Sequence, residues 1–249
     1  GMCSNLWWVQ NIPPAKVRIC QIYLRYYLNF NSEVLYMNEF NEIIEKIGDK
    51  EDFFFVQIGS HDGIGGGNDP LYEYIEKYNW SGILVEPVPY LYKELKKNYE
   101  GCGNLVFKNV AISCEGGTMK FYSIEKHSNP KNPFWYNQLG SFNKDVVLSH
   151  RQDIPEFDKY FKEEEIKTIT FDSLVEGVNQ IDLLHIDTEG YDLEIIKSID
   201  FNKITPSMIL YEHKHLENPM EAVDYLKNLG YGCYSMPTDT LAICESLRK

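Results

Sequence analysis

Residues Phe53–Pro70, FFFVQIGSHDGIGGGNDP, decide how the chain folds. Phe53, Phe54, Phe55, Val56 and Ile58 form an apolar run broken only by Gln57. A short run of this kind, bounded by a glycine turn, reads as a parallel strand covered on both faces. Gly59, Gly63, Gly65, Gly66 and Gly67 follow, and glycine lets backbone turn sharply and come close to a ligand. Asp69-Pro70 then has the chemistry of a helix start, with Asp as cap and Pro in the first turn. Strand, glycine loop and helix make the opening βα unit of a doubly wound nucleotide-binding sheet.

The loop narrows the choice of ligand. It has no Gly-Lys-Ser/Thr, and the spacing Gly59-x-x-x-Gly63-x-Gly65 is not the dinucleotide GxGxxG. With Asp62 in the turn and no lysine, it suits a cationic adenosine compound without phosphates, and S-adenosylmethionine (SAM) is one. A tight turn that binds nothing is the alternative. Gly59, Ser60, His61, Asp62 and Gly63 are therefore candidate cofactor residues. The second strand, Gly82 to Glu86, ends in an acid followed by Pro87. An acid roughly 20 residues beyond the glycine turn, at a strand tip, is where ribose hydroxyls are held. Glu86 has that position.

The 249 residues suffice for one large α/β domain, and 43% hydrophobic and 24% charged residues suit a globular protein. A net charge of −13 argues against nucleic acid or an anionic membrane as partner. The six cysteines have no CxxC spacing, so no zinc or redox motif is expected. No 18-residue apolar run occurs, so no membrane helix is expected. No basic region with an apolar stretch opens the chain, so no secretory leader is expected either, and the reading is a cytoplasmic protein. Gly1 before Met2 reads as a remnant of tag removal.

Residues 1–50 read as a helical extension. One helix spans 16–28. A second is capped by Ser32, carries Phe40, Ile43, Ile44 and Ile47 on one face, and stops at Gly48. Packing on the sheet edge or on a partner chain competes with a lid role. Residues 51–249 read as a single domain. Leu71–Tyr78 and Pro89–Tyr99 are helices, 104–112 is the third strand and Met119–Ile124 another. Residues 125–167 break the βα rhythm and form an insertion too long for an ordinary loop. Its Trp135, Tyr136, Gln138 and Ser141 are candidate acceptor contacts. Lys167–Phe171 is a further short strand, with Asp172 as the cap of the next turn. Tyr231–Met236 and Thr240–Cys244 close the chain as a hairpin. A mostly parallel sheet finished by an antiparallel edge hairpin, with helices on both faces, sets a methyltransferase-type sheet apart from dehydrogenase folds.

The second informative stretch is Leu184-His185-Ile186-Asp187-Thr188-Glu189-Gly190. His185 and Asp187 leave one face of a strand, roughly 6.6 Å apart. If that strand lies beside the glycine-loop strand, Asp187 sits at the topological switch point. His185, His213 and His215 are candidate general bases for a hydroxyl acceptor. His185, Asp187, Glu212 and His213 could ligate a metal, but an acid near a cationic ligand already explains Asp187, and no metal is expected.

VQIGSHDG, LVEP, TFDSL and LLHIDTEGYDLEII occur in that order. Over about residues 53–215 the chain resembles the FkbM family of SAM-dependent methyltransferases. The resemblance implies a class I methyltransferase fold and methylation of a hydroxyl on a sugar or natural product. It implies that Gly59, Asp62 and Gly63 border the methionine part of SAM, that Glu86 binds the ribose and that Val110 and Ala111 lie near the adenine. Asp187 would sit by the methionine or the reacting methyl. Many relatives carry Lys where this chain has His185, which leaves a base and a positioning role both open.

The expectation is thus a SAM-dependent O-methyltransferase acting on a sugar or other small hydroxylated acceptor, with His185, Asp187 and His213 as catalytic candidates. A Rossmann oxidoreductase using NAD and a catalytically inactive SAM-binding or assembly module are the competitors. The sequence carries no reading of the oligomeric state.

Overall fold

The computed structural model describes residues 37–65, 69–102 and 104–245. The expected helix over 16–28 and the Ser32 cap lie outside the described residues. Helix α1 (Met37–Ile47) leads into β1 (Phe54–Ile58), α2 (Tyr72–Tyr78), β2 (Ser81–Val85) and α3 (Pro89–Asn98). Then come β3 (Leu105–Lys108), β4 (Ala111–Ile112), β5 (Gly117–Ile124), β6 (Gly140–Ser141), α4 (Lys144–Ser149), α5 (Phe157–Tyr160) and β7 (Phe161–Ile169). The chain closes with α6 (Phe171–Leu174), β8 (Leu183–Ile186), α7 (Asp192–Ser198), β9 (Met208–Glu212), α8 (Pro219–Asn228), β10 (Tyr231–Ser235) and β11 (Asp239–Cys244).

Seven strands form the main sheet in the order β10-β11-β9-β8-β1-β2-β3. All neighbours pair in parallel except β11, which runs against both β9 and β10. The alternation of strands explains both covered faces. Val56, Ile83, Leu184 and Ile209 point to one side, where Phe171, Leu193, Ile196 and Leu226 cover them. Phe55, Leu84, Leu183 and Leu210 point to the other, against Phe40, Ile44, Ile75 and Leu95. Helix α1 thus covers the face of the sheet, not its edge. Trp80 fixes its end by donating from Nε1 to the Gly48 carbonyl at 2.7 Å.

The closing hairpin lies at the sheet edge as expected, and three other local expectations are corrected. In the hairpin β10 is outermost and β11 is inserted between β9 and β10. Its Thr240, Leu241, Ala242, Ile243 and Cys244 are all buried, as an interior strand needs, while β10 alternates with half-exposed residues. The third strand breaks after Lys108 into β3 and β4, which belong to different sheets. The short strand expected at 167–171 is the end of a nine-residue strand, β7. Its charged Lys162–Glu165 segment pairs with β5 in an exposed antiparallel ladder, so hydrophobicity could not mark it. The cap of α6 is Thr170, whose side chain accepts from Ser173 N. Asp172 instead accepts from Lys203 Nζ at 2.5 Å.

Strands β4, β7, β5 and β6 form a second sheet in that order, so the 125–167 segment is framed by a ladder of its own. No helix among the described residues is long and apolar enough to cross a membrane. Cys102 and Cys114 are free thiols.

Because Ile44 is fully buried in the core under the sheet, Ile44→Ala should cost about 2–5 kcal/mol in urea unfolding. A loss below about 0.5 kcal/mol would show that α1 is not part of the cooperative unit.

Candidate active site

The carboxyl ends of β1, β2 and β8 surround a cavity of about 170 Å³. Its position is set by one close approach. Gly59, at φ +84°, lies so near Asp187 that an added Cβ would stand 1.7 Å from the Asp187 carbonyl oxygen. Gly59 and Ser60 donate N–H groups to Val85 O at 3.0 Å, and Asp187 N donates to Ile58 O at 2.9 Å. The three strand tips are thereby locked side by side at the switch point of the sheet.

Of the residues singled out in the sequence, Gly59, Ser60, His61, Glu86, Val110, Ala111, His185 and Asp187 line the cavity. Glu86 is buried and accepts from His61 N and Val88 N, both at 2.8 Å. Burial pushes its carboxyl up to about 7 against the pull of these donors. Val88, Leu91, Ala111 and Phe121 form an apolar end, while Asp69, Asp187 and Glu189 line the cavity elsewhere. The Asp187 carboxyl is raised well above the usual range by burial and by the neighbouring Glu189 and Asp192. Among the described residues no lysine or arginine lines the cavity. Tyr90 lines it too, with its hydroxyl buried and without a hydrogen-bond partner.

Asp62 and Gly63 are not in the wall. Asp62 turns back into its own loop, accepting from Gly65 N at 2.7 Å, Ile64 N at 3.1 Å and the His61 ring at 3.0 Å. Burial works against the charged form, but these donors win and hold its carboxyl well below the usual range. Gly63 lies against Leu95 and Tyr99, where an added Cβ would meet their side chains at 2.7 and 2.5 Å. Both shape the loop from behind. Asp69 caps the following turn, accepting from Leu71 N and Tyr72 N at 2.8 and 2.9 Å.

His185 is buried at the cavity floor with Nδ1 unpartnered, and burial alone pushes it down to about 4. It is neutral at pH 7 and a weak base, which suits positioning better than proton removal. His213 does not reach the cavity: its N–H donates to Thr238 O at 2.9 Å, and its ring sits 2.9 Å from Thr240 Oγ1. The chain leaves strand geometry at Glu212, so alternation no longer predicts where residue 213 points. The turn instead brings His215 back, with Nε2 3.1 Å from Glu189 and 3.8 Å from Glu212. The convergent ligand-type set is therefore Glu189, Glu212 and His215, not the His185, Asp187, Glu212 and His213 group suggested by strand tips.

Of the four expected acceptor residues only Gln138 lines the cavity, with its neighbours Asn137, Leu139 and Gly140. Trp135 packs on His150 at 4.9 Å, and Tyr136 donates to His127 O at 2.7 Å. Ser141 is fully buried and donates to Glu189 O at 2.7 Å. Glu189 itself was legible only as the opening of a helix; its left-handed φ of 52° turns it toward the cavity and the 212–215 turn.

The family model described as the methyltransferase FkbM domain matches residues 57–233. The chain belongs to this methyltransferase family. Its cofactor is S-adenosylmethionine, and the cavity fits it, with a carboxylate-lined wall for a sulfonium and amine, an apolar end for a base and Glu86 among the lining acids. No curated protein matches the methyltransferase significantly. Among solved structures it is similar to the S-adenosylhomocysteine-bound methyltransferase PaMTH1 of Podospora anserina, at 10% identity and TM-score 0.41 over 94% of this chain and 88% of that one. It is also similar to a human methyltransferase 10 domain containing protein, at 11% identity and TM-score 0.39 over 92% and 94%. Likenesses this distant carry no argument about the reaction; the strand order above carries the fold.

Since no side chain fits at Gly59 without displacing the β8 tip, Gly59→Ala should abolish measurable SAM binding in calorimetry and lower the thermal midpoint. An alanine variant with wild-type affinity would contradict the close approach.

Proposed function

We propose that this methyltransferase transfers the methyl group of SAM to an oxygen of a sugar or other small hydroxylated molecule. One observation supports the cofactor's pose most directly: the cavity is walled by Asp69, Glu86, Asp187 and Glu189, with no lysine or arginine among the described residues. Such a wall attracts a sulfonium and an ammonium and repels a pyrophosphate. This disfavours NAD, which the loop spacing already opposed.

In this reading Glu86 accepts the ribose hydroxyls, and the apolar group around Ala111 and Phe121 packs the adenine. Asp187 faces the cationic end, and His185 on the floor fixes the orientation. When bound, SAM supplies an activated methyl group. The remaining task of the chain is alignment of acceptor oxygen, methyl carbon and sulfur, and positioning of that kind contributes up to about 7–11 kcal/mol. The acceptor would enter past Asn137, Gln138 and Phe142, whose amides and ring suit a polyhydroxylated molecule.

Calorimetry with SAM and S-adenosylhomocysteine tests the pose, and a radiolabelled methyl screen over sugars and hydroxylated metabolites tests the acceptor class. Glu86→Gln should weaken SAM at least about tenfold, because it removes the charged acceptor of the ribose hydroxyls. The pH dependence has a definite sign. With Glu86 pushed up to about 7, binding below that pH must first release a proton. Affinity should fall as pH drops from 8 to 5.5 in the wild type, and that slope should flatten in Glu86→Gln. Equal affinities at both pH values, with Glu86→Gln unchanged, would overturn the pose. Methyl transfer only to nitrogen acceptors would overturn the oxygen assignment.

A further inference from the structure

Beside the cofactor cavity lies a second group of donors. Glu189 follows β8, Glu212 ends β9, and His215 follows in the turn. One donor atom from each lies within 4.8 Å of the others. His215 Nε2 is 3.1 Å from Glu189 Oε2 and 3.8 Å from Glu212 Oε1. Donors held at about 2.1 Å around a tetrahedral ion stand about 3.4 Å apart, so these spacings bracket what an ion needs.

The group is unsatisfied as it stands. Glu189 Oε2, Glu212 Oε2 and His215 Nε2 are all buried without a hydrogen-bond partner. Glu212 is the decisive member: it is only 9% exposed, yet its Oε2 has no hydrogen-bond partner. Buried carboxylates of this kind are paired, protonated or metal-bound. Protonation would have to supply one proton to Glu212 and another between His215 Nε2 and Glu189 Oε2, which stand 3.1 Å apart. One divalent cation satisfies all three.

We propose that Glu189, Glu212 and His215 bind a divalent cation of borderline hardness, such as Mn²⁺ or Zn²⁺, and that this cation holds the oxygen of the methyl acceptor. Two carboxylates with one imidazole suit such ions better than Ca²⁺, which prefers oxygen donors throughout. Glu189 also lines the cofactor cavity, so an oxygen on the cation would face the cofactor. The positive charge favours the ionised form of that oxygen, its proton leaving to water. The second half of the proposal rests on the methyltransferase reading; the cation site itself does not. His150 stands outside the ligand set, with its ring 6.0 Å from that of His215 and its Nε2 buried and unpartnered. It closes the site from the insertion side.

Calorimetry and Mn²⁺ electron paramagnetic resonance on the full chain, stripped with chelator and titrated with Mn²⁺ or Zn²⁺ alone, test the site. One ion per chain should bind, at least about tenfold more weakly in His215→Ala and in the near-isosteric Glu212→Gln. Circular dichroism checks that both variants fold, and SAM calorimetry in chelator reads the cofactor site independently. No saturable metal binding in the wild type, or equal binding in both folded variants, would overturn the cation site while leaving SAM binding intact. Metal bound as expected with no SAM binding would instead overturn the methyltransferase pose and spare the ion. If metal-loaded enzyme shows the same acceptor KM as chelated enzyme, the acceptor-holding role fails.

Discussion

Everything at the carboxyl end of the main sheet depends on the contact between the backbones of Gly59 and Asp187. Glycine there, with its left-handed φ, is what lets the β1 turn lie against the β8 tip. The approach aligns the acid after β2 with the acid after β8, and it opens the space between them. A side chain at position 59 would not merely fill the cavity; it would separate the two strands that define it.

The second organising fact is the density of carboxylates around that space. Residues of one chemical type behave in opposite ways according to their donors. Asp62 gathers two amides and an imidazole and is held low; Asp69, Glu86 and Asp187 are raised by burial, to about 6 for Asp69 and about 7 for Glu86. The first anchors a loop. The others face no lysine or arginine among the described residues that line the cavity and so favour cationic guests. Asp192 knits this region together, accepting from Thr188 Oγ1 at 2.8 Å and from Glu212 N at 3.2 Å, so that the segments after β8 and β9 move together.

Much of this was legible before any coordinates. Strand periodicity and glycine placement marked β1, β2, β8 and β9, and hence Gly59, Glu86 and Asp187 as the residues that directly follow three of those strands and His185 as one within β8. What was illegible lies where regular geometry ends. His213 and His215 follow a strand that has already stopped, and only the turn decides which of them comes back to the cleft. Trp135 and Tyr136 read as acceptor contacts because aromatic rings suit sugars, yet they serve the small core of the insertion. The charged strand β7 carries little hydrophobic signal, since its partner β5 leaves one face to water. Asp62 has the right sequence position, but its Oδ1 is taken by three nearby donors.

Ser141 ties the two sheets together in a way that reaches beyond stability. Its hydroxyl, carried on the small sheet, grips the peptide carbonyl of Glu189 next to the main one. The insertion therefore acts as a lever on a carboxylate it does not contain. A change in the length or composition of the 125–167 segment would move the Glu189 backbone while every strand-tip residue stays the same.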